Sequence, residues 1–309
     1  MSGSLLAGVL TPGVVHACAC GCGVFDVATS SMLPNGTGGM AWLQYDYMDQ
    51  NQDWHAFEPA AASLNDDKEI QTHFITAGVQ YMFNQSWGAQ VEIPYDFRYF
   101  KGTDNGLEIA SHSWSQLGDI RLEGIYAGFF GDQSLGITFG VKLPTGAYNV
   151  DSTVDPNNLA GLVDRDTQIG TGSTDLLLGG FDRGNLTADE KWDWFAQGLF
   201  DAPTLVQAQY RPGFELDTAA GIDYKGATLG QATISPIGQL IFSVRTHDVG
   251  PQADSADTGY ERLMISPGLE VHLRSVRFYA DIEVPVVQNF RGYQLAASVL
   301  YKCSVSWMF

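Results

Sequence analysis

From Leu295 onward the chain alternates strictly. Leu295, Ala297, Val299, Tyr301, Cys303, Val305, Trp307 and Phe309 are apolar, while Ala296, Ser298, Leu300, Lys302, Ser304, Ser306 and Met308 are mostly small or polar. A period of two puts the two sets on opposite faces of one β-strand. Ala89, Val91, Ile93, Tyr95, Phe97 and Tyr99 repeat the pattern against Gln90, Glu92, Asp96 and Arg98. So do Leu263 to Leu273 against Arg262, Ser266, Glu270, His272 and Arg274, and Val276 to Val284 against Arg277, Asp281 and Glu283. These runs reach ~10 to 16 residues, where globular strands average ~5 to 6. No segment supplies the ~20 uninterrupted apolar residues of a spanning helix. Any bilayer crossing must therefore be made by a closed barrel, the other structure that satisfies every backbone group in lipid.

Alternation alone does not say which face meets water. A soluble sandwich buries the apolar face, and a membrane barrel turns it to lipid around a wet lumen. Tyr99, Tyr301, Trp307 and Phe309 at the ends of the apolar faces favour lipid, because aromatic rings gather at membrane interfaces. About twelve runs can be counted, near 39–49, 69–83, 87–100, 117–130, 134–146, 168–182, 191–202, 213–225, 230–246, 259–273, 276–287 and 293–309. An even number leaves both termini in the periplasm. The connections at 50–68, 101–116, 147–167, 203–212 and 247–258 are then the long extracellular loops, and Asn84-Gln85-Ser86 and Gly131-Asp132-Gln133 are short periplasmic turns. The fold expected is all-β: a transmembrane antiparallel up-and-down barrel of about twelve strands over 39–309, in the outer membrane of a Gram-negative bacterium.

A net charge of -19 argues against nucleic acid and against docking through a polybasic patch. Residues 1–17 read as the remnant of a signal peptide, with apolar Leu5 to Val15 and Val15-His16-Ala17 as a small-residue cleavage site. The absence of a basic residue before Lys68 points to an earlier true start; a buried N-terminal arm is the other reading. Residues 18–38 form a Cys-rich periplasmic arm, and Val24 to Pro34 is a candidate plug inside the barrel.

Gly140-Val141-Lys142-Leu143-Pro144-Thr145-Gly146, Gly170-Thr171-Gly172-Ser173-Thr174-Asp175, Gln90 to Tyr95 (QVEIPY) and Gly118-Asp119-Ile120, in this order, resemble the outer-membrane channel family named after the MetA pathway of phenol degradation. The resemblance implies a transport barrel, often suggested for small hydrophobic compounds, and carries over no functional residue. The Cys-rich N-terminus departs from the family pattern. The terminal Phe309 with Trp307 is similar to the signal read by the barrel assembly machinery.

Charged residues predicted to face the lumen are Glu92, Asp96, Arg98, Asp119, Arg121, Glu123, Lys142, Asp175, Arg245, Arg262, Glu270, His272, Arg274, Arg277, Asp281 and Glu283. They set selectivity, as charged rings do in pores, or they pair across strands and fill a narrow interior. Cys18, Cys20 and Cys22 allow a disulfide, a soft-metal site or acylation at Cys18. Beyond that metal no cofactor is implied. Cys303 reads as a lone lipid-facing thiol.

Barrel hydrolases need a paired Ser and His near the rim. His73 has the right height, but the adjacent strand offers Tyr95, Phe97 and Tyr99 and no serine, so no enzyme is expected. Asp151, Asp155, Asp164 and Asp166 lack calcium-loop spacing and suit a solvated loop or a divalent bridge to lipopolysaccharide. The function these readings favour is passive passage of small solutes, with outer-membrane lipids and lipopolysaccharide as surroundings and a homo-oligomer left open. The alternative is a structural or interaction barrel with a closed lumen, whose arm binds metal or a periplasmic partner.

Overall fold

The computed structural model describes residues 23–27, 32–34, 36–104, 108–150 and 164–309. In it the alternating runs pair into one antiparallel sheet. The strands are β1 (Gly38–Ala56), β2 (Glu58–Pro59), β3 (Asp67–Met82), β4 (Trp87–Asp104), β5 (Glu108–Leu117), β6 (Ile120–Tyr126), β7 (Leu135–Leu143), β8 (Ser173–Asn185), β9 (Trp192–Val206), β10 (Glu215–Tyr224), β11 (Ala227–Leu229), β12 (Ala232–Arg245), β13 (Tyr260–Leu273) and β14 (Val276–Met308). Neighbours in sequence pair around the sheet, β10 pairs with β12, and β14 returns to β1, so the circuit closes. Closure removes the unpaired backbone edge that hydrocarbon would not tolerate.

Eleven strands form the circuit, but the 33-residue β14 makes two passes. Its first half pairs with β13 up to Phe290, and its second half pairs with β1 from Phe290 to Met308. The wall is therefore crossed twelve times, as the sequence runs imply. β5 and β6 together make one pass: β4 pairs with β5 along its outer half and with β6 along its inner half.

Two connections differ from expectation. Residues 101–116 are not an open loop, because β4 and β5 stay paired from Tyr95↔Leu117 to Asp104↔Glu108. β1 likewise runs on to Ala56. Backbone pairing does not require an apolar face, so these polar strand ends stay in the sheet.

The burial pattern settles the orientation of the wall. Leu43, Ile93, Phe139, Leu178, Leu240, Ile265, Phe278 and Val305 are exposed on the outside, while Gln44, Asp96, Arg98, Asp175, Asp217, Arg262 and Glu283 are buried inside. Apolar-out and polar-in is the reverse of a water-soluble sheet. Aromatic rings ring both ends. Trp87–Tyr126, Trp192–Tyr224 and Trp307–Phe309 lie at the end that holds Gly38 and Phe309, the periplasmic end in the orientation expected from the sequence, and Tyr47–Tyr301 and Phe200–Phe214 lie nearer the other, outer end.

The alternation of the last strand breaks where the sequence shows no sign of it. Register shifts between Met48 and Gln50 and between Gln50 and Gln52 bulge the sheet against Ala296 and Ala297. Leu295, Ala296 and Ala297 are consequently all buried and Ser298 is exposed, whereas strict alternation turns Leu295 and Ala297 to lipid.

Candidate functional site

The described part of the N-terminal segment lies in the lumen. Gly23–Asp26 forms one turn of 3-10 helix, and Val24, Phe25, Val27, Met32 and Leu33 are buried. Val24, Phe25 and Val27 pack on inward-facing Met48, Phe74, Ile241, Met264 and Leu300. Leu33 packs on Met82, Ile125, Phe181, Phe195 and Tyr279. The wall also binds the segment's main chain. Gln44 Nε2 donates to Phe25 O at 3.4 Å, Lys302 Nζ to Val27 O at 3.3 Å, Gln80 Nε2 to Met32 O at 3.4 Å, and an Arg183 guanidinium nitrogen to Pro34 O at 2.6 Å. Side-chain donors aimed at carbonyls satisfy a segment that belongs to no sheet. This explains why a lumen of polar residues also carries an apolar patch.

A second segment enters from the outer side. Residues 164–172 follow a part of the connection that lies outside the described residues, and Arg165, Thr167 and Gln168 are buried. Arg98 on β4 donates to Thr72 Oγ1 at 3.0 Å, to Thr167 O at 2.7 Å and to Gln168 O at 3.2 Å. Asp119 sits in the two-residue break between β5 and β6, which turns it inward. Its carboxylate accepts from Gly146 N at 2.9 Å, Thr171 N at 2.8 Å and Thr171 Oγ1 at 2.7 Å. Gly146 and Gly170 touch backbone to backbone there, so a Cβ at either would collide. The Arg165 guanidinium lies 4.4 Å from the Tyr148 ring centroid and 4.6 Å from that of Tyr210. Burial pushes the Asp166 carboxyl well above the usual carboxylate range, and Asp164 and Asp248 add to the rise. Burial, with Asp248 beside it, likewise raises the Tyr210 hydroxyl.

Asp119→Ala removes three acceptor contacts at once and is expected to release this segment. Trypsin then cuts after Arg165 within minutes, whereas the native protein resists at the same enzyme ratio. Equal resistance of both would show that Asp119 does not hold the segment.

Between the two inserted segments the lumen keeps three neighbouring cavities. One of 140 Å³ is lined by Phe25, Met32, Trp42, Phe74, Asp46 and Lys142 among others. One of 100 Å³ lies toward the outer end, around Arg98, Arg165, Asp175, Asp201, Tyr210 and Arg245. One of 70 Å³ lies toward the periplasm, around Leu33, Pro34, Gln80, Glu123, Phe181 and Leu199. The first shares Lys142, Arg121 and Asp96 with the second, and Glu92 and Met32 with the third.

The predicted lumen charges divide into groups. Lys142 Nζ lies 2.5 Å from both Asp175 and Asp201, and Arg121 lies 3.9 Å from Glu92. Asp96, Arg98, Asp119 and Arg245 share these cavities, and Arg245 pairs with Asp248 at 2.7 Å. Glu123 lines the periplasmic cavity. Across the lumen, Lys302 lies 3.6 Å from Glu283. Asp281 accepts from Ser266, Tyr279 and Gln239 there, and buried Arg262 lies over the Tyr260 ring at 4.3 Å. Glu270 and Arg277 sit on the inner face nearer the periplasmic end, lining none of the three cavities, and His272 lies opposite Arg277.

Arg274 corrects the sequence reading: it is not in the lumen. It is exposed in the turn between β13 and β14 at φ 59°, bonded to Gln231. The strand ends at Leu273, one residue before Arg274, so the alternation no longer sets its direction. Cys303 is exposed on the lipid face, as are Trp307 and Phe309. Cys18, Cys20 and Cys22 lie outside the described residues, as do Asp151 and Asp155. His73 bonds Tyr45 Oη at 2.8 Å, and the nearest serine in its row, Ser115, is two strands away across Phe97 and bonds Tyr95 instead.

Several lumen residues escaped the sequence reading, among them Asp46, Asp201, Asp217, Lys302 and Arg165. Asp46 and Asp201 follow from parity once Gln44 and Leu199 are known to face inward. Arg165 belongs to a loop, where parity has no meaning.

A closed antiparallel barrel with an apolar belt, aromatic ends and a charged interior is a transmembrane β-barrel of the outer-membrane type. No protein-family model matches the chain, and no curated protein sequence matches it. Among solved structures it is similar to an outer membrane channel from Pseudomonas putida F1, with a TM-score of 0.62 and 12% identity, covering 92% of this chain and 100% of that one. It is also similar to the beta domain of the Bordetella autotransporter BrkA, with a TM-score of 0.53 and 10% identity, covering 88% of this chain and 100% of that one. At such identities the likeness shows the fold.

Proposed function

We propose that the chain is an outer-membrane channel of a Gram-negative bacterium, for passive passage of small solutes. The observation that carries this reading is the line of cavities that share lining residues from the outer segment to the plug. A barrel built only as a scaffold has no need of a charged interior with a run of cavities. The similarity to a channel of known structure is consistent with it. Passage in this conformation is narrow, because a water molecule alone occupies about 30 Å³ of liquid. Larger solutes require the plug or the 164–172 segment to yield.

Nine carboxylates line the three cavities, against five basic side chains. Field focusing in a low-dielectric wall favours counter-ions of the majority charge. In planar bilayers under a potassium chloride gradient, the reversal potential is expected to show potassium passing in preference to chloride. A chloride preference would remove the selectivity reading. A protein that is silent both intact and without its plug would remove the channel reading and favour the closed barrel, to which the filled lumen also lends support.

A further inference from the structure

We propose that the 140 Å³ chamber binds a small organic cation, its ammonium group on Asp46 and its apolar body against Phe25, Met32, Trp42 and Phe74. This deepens the channel reading, since it names the solute class for the same lumen.

Asp46 is 1% exposed and lines the chamber. One of its carboxylate oxygens accepts from Gln44 Nε2 at 2.8 Å. The other meets no hydrogen-bond donor among the described residues. A buried carboxylate oxygen without a donor is costly, and native proteins rarely leave one. Lys302 stands directly opposite Asp46 on β14 and its charge acts on that carboxylate, but it gives Oδ1 no hydrogen bond: its ammonium lies by Glu283, donates to Val27 O and is 5.7 Å from the Phe25 ring. In the proposed site the donor to this oxygen arrives with the ligand.

The rest of the chamber suits the body of that ligand. The Phe25 and Phe74 rings stand 5.4 Å apart at 53°, and a cation beside such faces gains from their quadrupoles. In another protein an apolar cavity of ~150 Å³ holds benzene, so 140 Å³ takes a single ring or a short aliphatic chain. The polar side of the chamber favours a cation over an anion. Its two basic groups are already taken, Arg121 by Glu92 and Lys142 by Asp175 and Asp201.

The test is calorimetry of the full chain in detergent with three probes of one shape: benzylamine, benzyl alcohol and benzoate. Benzylamine is expected to bind at least about tenfold more tightly than benzyl alcohol, as a charge-assisted hydrogen bond implies, and benzoate is expected not to bind. Asp46→Asn should remove the advantage of benzylamine and leave benzyl alcohol unchanged. Equal affinity for the amine and the alcohol, tighter binding of benzoate, or an unchanged preference in Asp46→Asn would overturn the proposal. The three-probe comparison on the native chain decides the matter even if Asp46→Asn does not fold. Detergent binding requires no conduction. Binding by a silent barrel keeps the site and discards the channel, and conduction without amine binding discards the site alone.

Discussion

Deleting residues 23–34 is expected to raise the conductance of the reconstituted barrel severalfold and to admit neutral sugars that the intact chain excludes. The wall holds this segment through side-chain donors, Gln44, Gln80, Arg183 and Lys302, each of which bonds water equally well once the carbonyl is gone. The strands close on one another without help from the segment. The deletion therefore opens the lumen without opening the sheet. It also exposes Met48, Ile241, Met264 and Leu300 to lumen water, and burial of such side chains contributes roughly 1.5–3 kcal/mol each. A lower unfolding midpoint is expected alongside the larger current. Swelling of liposomes in a pentose solution reads the first effect, and unchanged swelling would show that the plug does not occupy the pathway.

Leu240→Arg is expected to cost about 2–4 kcal/mol of stability, the charge penalty of a lipid-facing site at the bilayer midplane. Leu240 is 52% exposed on β12. It pairs with Ala220, four residues from Leu216, which pairs with Phe200 at one aromatic belt, and four from Tyr224, which pairs with Trp192 at the other. Leu64, comparably exposed in the short 3-10 helix Ala62–Leu64 outside the belts, tolerates the same replacement within ~0.5 kcal/mol, as surface sites do. Urea unfolding in lipid vesicles measures both. Equal costs would mean that Leu240 does not face hydrocarbon.

Most of the wall was legible because its signal is local. The parity of Ile93, Tyr95 and Phe97 against Glu92, Asp96 and Arg98 places each side chain from sequence alone, and the structure keeps that assignment. Parity fails where the backbone slips: the bulge opposite Gln50 buries Leu295 and Ala297, and nothing in that stretch encodes a two-for-one pairing. It fails again at Arg274, where the strand has already ended. The site is less legible than the wall, because it depends on residues far apart in sequence. Asp119 could be predicted to face inward, but its grip on Gly146 and Thr171 could not. Asp201 became part of the Lys142 cluster only through the pairing of β8 with β9.

The function of this barrel depends on which face of the sheet meets lipid. A bimane probe, attached to single cysteines at Leu269 and Glu270 in a chain whose native cysteines are serine, tests this directly in vesicles of brominated phospholipid. Leu269 is 46% exposed on the outer face, and its neighbour Glu270 points inward. Strong quenching at 269 and little at 270 is the result the barrel requires. Quenching at 270 alone, or at neither position, would contradict it.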